Sequence, residues 1–369
     1  MLIGVNATFM NQRPTGLGVF TIEVLGALSS LHREMVVYSP VPIESLSDEV
    51  VSSVSSYVRG SLKFRNNLAR FLYLNTILPV KLAVNGIDVL FCPMLEYPFY
   101  NSVPTVIHIH DIHPVIFQDE FKRAALPFKI SLKMLRYGKI RLTVSTNHVK
   151  NEFLDYTSFP DENIDVVPLA YNSQNFYPRE EGFRTEFLKK YGIRTPYILY
   201  VGNLFRYKNV DTLIKAFLKI KDKLQHSLVI AGNRQLAGDF SPVVDDRVVH
   251  LDYVPINDLP FLYSYADLLV HPSLSEGFGL TVLEAMACGT PVVASNRAAV
   301  PEVAGDAAFL IDPLNIQEIT DAILCVSNDN VLREDLIRKG LKRVKDFSWE
   351  KTARGILNSC YKAVEQFRS

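Results

Sequence analysis

The segment Glu276 to Gly289, EGFGLTVLEAMACG, sets two carboxylates eight positions apart, with glycines between the first acid and the start of a helical pattern. Glycine allows backbone to approach a ligand closely, and the first turn of a helix presents N–H groups at the positive end of its dipole. Gly277, Phe278, Gly279, Leu280 and Thr281 are therefore expected to offer backbone amides to an anion such as pyrophosphate. An ionised carboxylate only accepts hydrogen bonds. Glu284, one turn into the helix, can take both hydroxyls of a ribose, and Glu276, at the loop mouth, can take sugar hydroxyls beside the phosphates. A solvated loop acid and a helix-start acid favoured by the dipole would be the plainer reading, but it leaves the glycine spacing unexplained.

Cations stand where such a ligand would need them. The loop VGNLFRYKN, Val201 to Asn209, lies between a strand and a helix, so Gly202 opens a turn that carries Arg206 and Lys208 to the strand's carboxyl end. Both side chains can neutralise a diphosphate there. Near the N-terminus, Gly16 and Gly18 sit between a strand and a helix and can bring amides to phosphates or to a second substrate. His110 and Asp111 end an apolar strand, at the edge where open α/β sheets bind ligands. Ser145, at the end of TVST, is either a small polar site residue or a helix cap.

These residues require strands and helices that alternate. LIGVN, the apolar runs Met35 to Tyr38, Ile87 to Phe91, Thr105 to Ile109, Leu142 to Val144 and Ile164 to Val167, and the helical patterns between them read as one α/β domain over residues 1–170. After NIDVVPLAYNSQNFYP the same grammar restarts at Pro196 to Val201. It continues through Ser227 to Ala231, Val248 to Tyr253, Asp267 to His271, Pro291 to Ala294 and Ala307 to Ile311, giving a second domain over 171–348. Residues 349–369 read as an amphipathic helix, expected to pack back on the N-terminal domain. The predicted fold is α/β, two Rossmann-like domains facing a central cleft.

Composition narrows the partners. The 369 residues carry 39 Lys plus Arg against 39 Asp plus Glu, which gives no field for nucleic acid. The four cysteines lack the close pairs of metal or redox motifs. No export signal or long apolar run is read, so a cytoplasmic location is expected. Two stretches depart from neutrality. Arg59 to Ile87 holds Arg59, Lys63, Arg65, Arg70 and Lys81, and Phe121 to Asn151 holds Lys122, Arg123, Lys129, Lys133, Arg136, Lys139, Arg141 and Lys150, both without an acid and interleaved with apolar residues. They suit an anionic membrane surface or a lipid-diphosphate acceptor, or are ordinary solvated helix faces.

HPSLSEGFGLTVLEAMACGTPVVAS resembles the signature of the family-4 retaining glycosyltransferases, and GLGVF, HIHD, VSTNHVKNEF, NIDVVP, VGNLFRYKN and FSWEKTA extend the likeness over nearly the whole chain. The resemblance implies a GT-B fold and transfer of a sugar from a nucleotide-diphosphate donor to an acceptor with retention, without a cofactor or metal. It implies Glu276, His110, Lys208 and Arg206 as the catalytic set, Gly18 and the backbone at Tyr253 and Val254 as donor contacts, and Asp111, Gly16 and Ser145 on the acceptor side. Asn203 and Asp252 depart from the family's common residues. The GDAAFLIDP segment is similar to bacterial polysaccharide mannosyltransferases, which favours GDP-mannose as donor and a saccharide or lipid-linked saccharide as acceptor. UDP-hexoses, and an epimerase or hydrolase on the same fold, are the alternatives.

Overall fold

A computed structural model describes residues 1–11, 16–43, 45–47, 50–58, 64–100, 102–232 and 245–367. The chain divides into two compact units, Met1–Leu169 with Trp349–Ser369, and Ala170–Ser348.

In the first unit the strands are β1 (Ile3–Asn6), β2 (Met35–Ser39), β3 (Val51–Ser53), β4 (Val89–Cys92), β5 (Thr105–Ile109), β6 (Ile140–Val144) and β7 (Ile164–Val166). They form one parallel sheet in the order β3-β2-β1-β4-β5-β6-β7. VLFC and TVIHI, on central strands of a parallel sheet, are buried at every position, Thr105 and His108 included. β3 was not expected: VSS is short and partly exposed at the sheet edge, so it carries no continuous apolar run.

The C-terminal helix, Trp349–Phe367, belongs to this unit and packs against the helix Gly16–Leu31. Ile356, Cys360 and Ala363, fully buried, form its inner stripe. Its polar anchor is Asp165 on β7, which accepts from Ser359 Oγ at 2.8 Å and Lys362 Nζ at 2.7 Å while held by Arg141 Nε at 2.6 Å. Burial pushes the Asp165 carboxyl up, but these donors outweigh it and bring it down to about 2.

The second unit holds β8 (Tyr197–Val201), β9 (Ser227–Ala231), β10 (Val248–Leu251), β11 (Leu268–His271), β12 (Val292–Ser295) and β13 (Phe309–Ile311), parallel in the order β10-β9-β8-β11-β12-β13. β10 stops at Leu251, short of the expected Tyr253, because Asp252 and Tyr253 are exposed. The helix Val210–Ile220 lays Val210, Leu213, Ile214, Phe217 and Ile220 on the sheet at helical spacing. The chain runs outward from β8 through β9 to β10, then returns to start β11 on the other side of β8. Loops leaving β8 and β11 therefore diverge at their carboxyl ends, the point where doubly wound sheets open a crevice.

Candidate functional site

The crevice of the second unit is built from the two loops that diverge there. β8 is followed by Gly202, whose φ of +149° and whose absent side chain matter together, since a Cβ there would meet Tyr200 Oη at 2.9 Å. The loop then makes a 3-10 turn, Arg206–Lys208. Asn209 closes it in the left-handed region at φ +58° and is tied down by Nδ2 donating to the carbonyls of Pro272 at 3.2 Å and Pro313 at 2.7 Å. Lys208 is thereby aimed at the β11 loop, while Arg206 on the same turn is exposed.

The β11 loop returns the contact. Lys208 Nζ donates to Glu276 Oε1 at 2.6 Å, Ser273 Oγ donates to the same oxygen at 2.8 Å, and His271 Nε2 lies 2.8 Å from it. Glu276 is only 8% exposed. Burial pushes its carboxyl up, but Lys208 and His271 outweigh that and hold it well below the usual carboxylate range. It is an ionised, oriented acceptor.

Gly279 follows, capping the helix Leu280–Ala287 at φ +99°, a conformation that favours glycine. Phe278 is buried with its ring edge-on to Phe347 at 5.7 Å, so it can meet a ligand only through its backbone. The helix start presents the backbone of Leu280 and Thr281, and Thr281 Oγ1 lies 3.3 Å from His271 Nδ1. Glu284 stands three positions on, on the same helix face. Its Oε2 accepts from the fully buried Tyr263 hydroxyl at 2.9 Å. Burial raises the Glu284 carboxyl to about 7, against a smaller lowering by Tyr263.

Glu276, Lys208, Gly279, Thr281 and Glu284 thus belong to one arrangement of acids, an ammonium and a helix N-terminus, suited to an anion carrying hydroxyls. Tyr253 is exposed and Val254 buried just beyond β10. Three participants were missed in the sequence: His271, Ser273 and Tyr263. His271 and Ser273 stand at the end of an expected strand just before Glu276, a position that could have flagged them. Tyr263 lies on a separate short helix, and no local signal ties it to Glu284.

In the first unit His110 follows β5 and is partly buried, with Nε2 3.0 Å from the Pro93 carbonyl. Phe20 stacks on His108 at 4.8 Å and meets His110 edge-on at 4.6 Å, so both imidazoles are fixed by the helix that carries Gly18. Burial lowers the basicity of His108, helped by His110, and lowers that of His110 against Asp111 and the Pro93 carbonyl. Asp111 accepts from the His113 amide at 2.9 Å. Glu152 is raised to about 7 by burial, then by Asp111 and Asp155. Ser145 is not the helix cap: Thr146 Oγ1 accepts from the Val149 amide, and Ser145 Oγ lies 3.2 Å from His108 Nε2. Gly18 is buried and Gly16 exposed.

The basic stretches resolve unequally. Arg59 and Lys63 lie outside the described residues, as does the side chain of Arg65. Arg70 is engaged with Glu96 at 2.6 Å, and Arg141 is buried against Asp165. Both are structural ion pairs. On the helix Lys122–Met134, by contrast, Lys122, Arg123 and Lys133 are exposed beside Leu126, 66% exposed, and Ile130, 45% exposed. Among the described residues no three His, Cys, Asp or Glu side chains converge as metal ligands, and no helix is long and apolar enough to cross a membrane.

Residues 183–343 match the family model "Glycosyl transferases group 1". The chain is 35% identical over 231 residues to O-antigen chain mannosyltransferase B of Escherichia coli, covering 60% of this chain and 60% of that protein. It is 29% identical over 245 residues to D-inositol 3-phosphate glycosyltransferase of Pseudarthrobacter chlorophenolicus, covering 62% and 57%. The alignments thus span less than two thirds of either relative. The structure is similar over 99% of both chains to sucrose-phosphate synthase from Thermosynechococcus elongatus, with a TM-score of 0.74 at 19% identity, which shows the shared GT-B type of fold.

Proposed function

We propose a sugar-transfer function from the premise that residues 183–343 of this chain are a group 1 glycosyl transferase domain. The chain is a retaining, metal-independent hexosyltransferase that moves mannose from GDP-mannose to a saccharide or lipid-linked saccharide in cell-surface polysaccharide synthesis. The observation that carries this reading is Glu276, buried, ionised and clamped by Lys208 and His271 beside a glycine-capped helix start.

Glu276 accepts from hydroxyls of the donor sugar, Glu284 accepts from the ribose diol, and the amides of Gly277 to Thr281 face the diphosphate. An ammonium has three protons. Lys208 gives one to Glu276 and has others for phosphate oxygens. As the bond from the anomeric carbon to the phosphate oxygen breaks, negative charge grows on the leaving diphosphate, where fixed dipoles and the ammonium stabilise it. The acceptor oxygen bonds to the anomeric carbon from the same face, and its proton passes to the departing phosphate. Arg206 adds charge at the diphosphate, and Tyr253 and Val254 border the base. The family resemblance assigns His110 and Gly18 to the donor, and Asp111, Gly16 and Ser145 to the acceptor.

Mannose is favoured by the relationship to an O-antigen mannosyltransferase, and the GDP donor by the GDAAFLIDP segment. The exposed basic and apolar face of the helix Lys122–Met134 supports peripheral contact with an anionic membrane at its cytoplasmic side. Incubation with GDP-mannose, and separately UDP-glucose, together with lipid-linked and free saccharide acceptors in EDTA tests the proposal. Mass spectrometry should detect one added hexose from GDP-mannose, and NMR should show the anomeric configuration kept. Release of free sugar alone would identify a hydrolase, a new sugar nucleotide an epimerase, and an inverted product would remove the front-face mechanism. Transfer from UDP-glucose alone would replace the donor.

A further inference from the structure

We infer that His271 is the positioning residue of this donor site: fixed by Thr281 at one ring nitrogen, it donates from the other to Glu276 and sets the orientation of that carboxylate. The inference rests on the sugar-donor reading of Glu276.

His271 is the last residue of β11, a strand paired on both sides, and is 2% exposed. Its backbone cannot drift and its ring has no solvent to exchange with. Nε2 lies 2.8 Å from Glu276 Oε1 and 3.2 Å from Ser273 Oγ, while Nδ1 lies 3.3 Å from Thr281 Oγ1. An ionised carboxylate can only accept, so Nε2 must carry the proton it shares with Glu276. Ser273 spends its single proton on the same carboxylate oxygen at 2.8 Å. In the neutral ring Nδ1 is then an acceptor, and the Thr281 hydroxyl is its donor. The network selects one tautomer of the two.

This arrangement links the two halves of a donor. Thr281 stands in the first turn of the helix whose N-terminus faces phosphate, and Glu276 takes the sugar. His271 joins them through both nitrogens. All three donors, Lys208, Ser273 and His271, fall on Oε1, which leaves Oε2 as the oxygen for the sugar. Of the three, Lys208 is the one with other work: a flexible ammonium, 16% exposed at its side chain, that is shared with the diphosphate once the donor is bound. When that sharing loosens its hold on Oε1, the strand-anchored imidazole and Ser273 retain the carboxylate.

The test pairs a measurement that needs no substrate with one that does. In nitrogen-15 NMR of histidine-labelled protein, His271 should carry its proton on Nε2, and Thr281→Val should shift the ring towards a mixture of tautomers. With GDP-mannose as the probe, His271→Leu should lower kcat about a hundredfold while the donor KM stays within about threefold, the pattern of an interaction that matters in the transition state. His271→Gln, whose amide can donate from nearly the same place, should recover kcat to within about tenfold of wild type. A proton on Nδ1 in wild type overturns the inference, as does wild-type kcat in His271→Leu. Equal losses in the Leu and Gln variants would mean that the ring only fills space, and would also overturn it. If His271→Leu does not fold, as judged by circular dichroism, the ring-nitrogen spectra of wild type and Thr281→Val decide. Failure of the sugar-transfer reading is seen separately, as wild-type protein that transfers no sugar from GDP-mannose or UDP-glucose whatever its tautomer.

Discussion

Lys208 and Glu276 are 68 positions apart, yet the lysine Nζ donates to Glu276 Oε1 across 2.6 Å, with the two side chains 16% and 10% exposed. Removing one partner of a buried pair leaves an uncompensated charge and costs about 3–5 kcal/mol. Because His271 and Ser273 still donate to Glu276 in Lys208→Ala, the loss should sit at the lower end, about 3 kcal/mol in urea unfolding. Donor affinity and transfer rate should fall together. Unchanged stability and unchanged turnover would dissociate the pair from both fold and function.

Glu276→Gln keeps the shape of the side chain and removes its charge. Transfer from GDP-mannose should drop by at least about a hundredfold, because the neutral amide answers a sugar hydroxyl less well than a carboxylate. Far-UV circular dichroism should match wild type, since the interior keeps its packing. Wild-type turnover in this variant would remove Glu276 from the donor site.

Burial holds the Glu284 carboxyl at about 7, whereas a ribose diol donates to the ionised form. Nucleotide binding must therefore displace a proton whenever the pH lies below about 7. GDP affinity should fall about tenfold per pH unit from 7 towards 5, and calorimetry in buffers of different ionisation enthalpy should register proton release over that window. Glu284→Gln should bind more weakly at pH 8 and lose the slope. For stability the same raised value has the opposite direction: ionising Glu284 disfavours the folded chain, so its contribution worsens as pH rises from the ordinary carboxylate range to about 7. A flat affinity profile in wild type would show that Glu284 does not take the ribose as an ionised acceptor.

What could be read in advance divides along a physical line. Strands such as Thr105–Ile109 and Ser227–Ala231 were legible because parallel strands covered on both faces leave continuous apolar runs. The C-terminal helix was legible from Ile356, Cys360 and Val364 at helical spacing. Glu276, Gly279 and Glu284 were legible because one loop and one helix turn carry them all. The Tyr263 hydroxyl on Glu284 was not, since a contact spanning 21 positions between two helices leaves no periodic trace. Arg141 misled for the same reason. In sequence it belongs to a basic stretch, and only the pairing of β6 with β7 sets it against Asp165.

That last contact controls how the C-terminal helix is held, and it gives a stability test independent of any substrate. Asp165 gathers Arg141, Ser359 and Lys362, and its carboxyl is about 2 in the folded chain against an ordinary value near 4 for Asp. The stabilisation is complete above about pH 4 and is lost as pH falls through about 2, a contribution of roughly 2 kcal/mol. Asp165→Asn should therefore unfold at lower denaturant than wild type at pH 7, with the difference shrinking as the pH approaches 2. Gly355→Ala probes the same interface by volume instead of charge: an added Cβ would stand 2.7 Å from Val167 Cγ1, too close without movement. Overpacking of this kind costs about 1–3 kcal/mol, against about 1 kcal/mol gained from alanine's better helix propensity. The variant should be destabilised on balance, and a rise in its unfolding midpoint would show that the helix is free to shift away from β7.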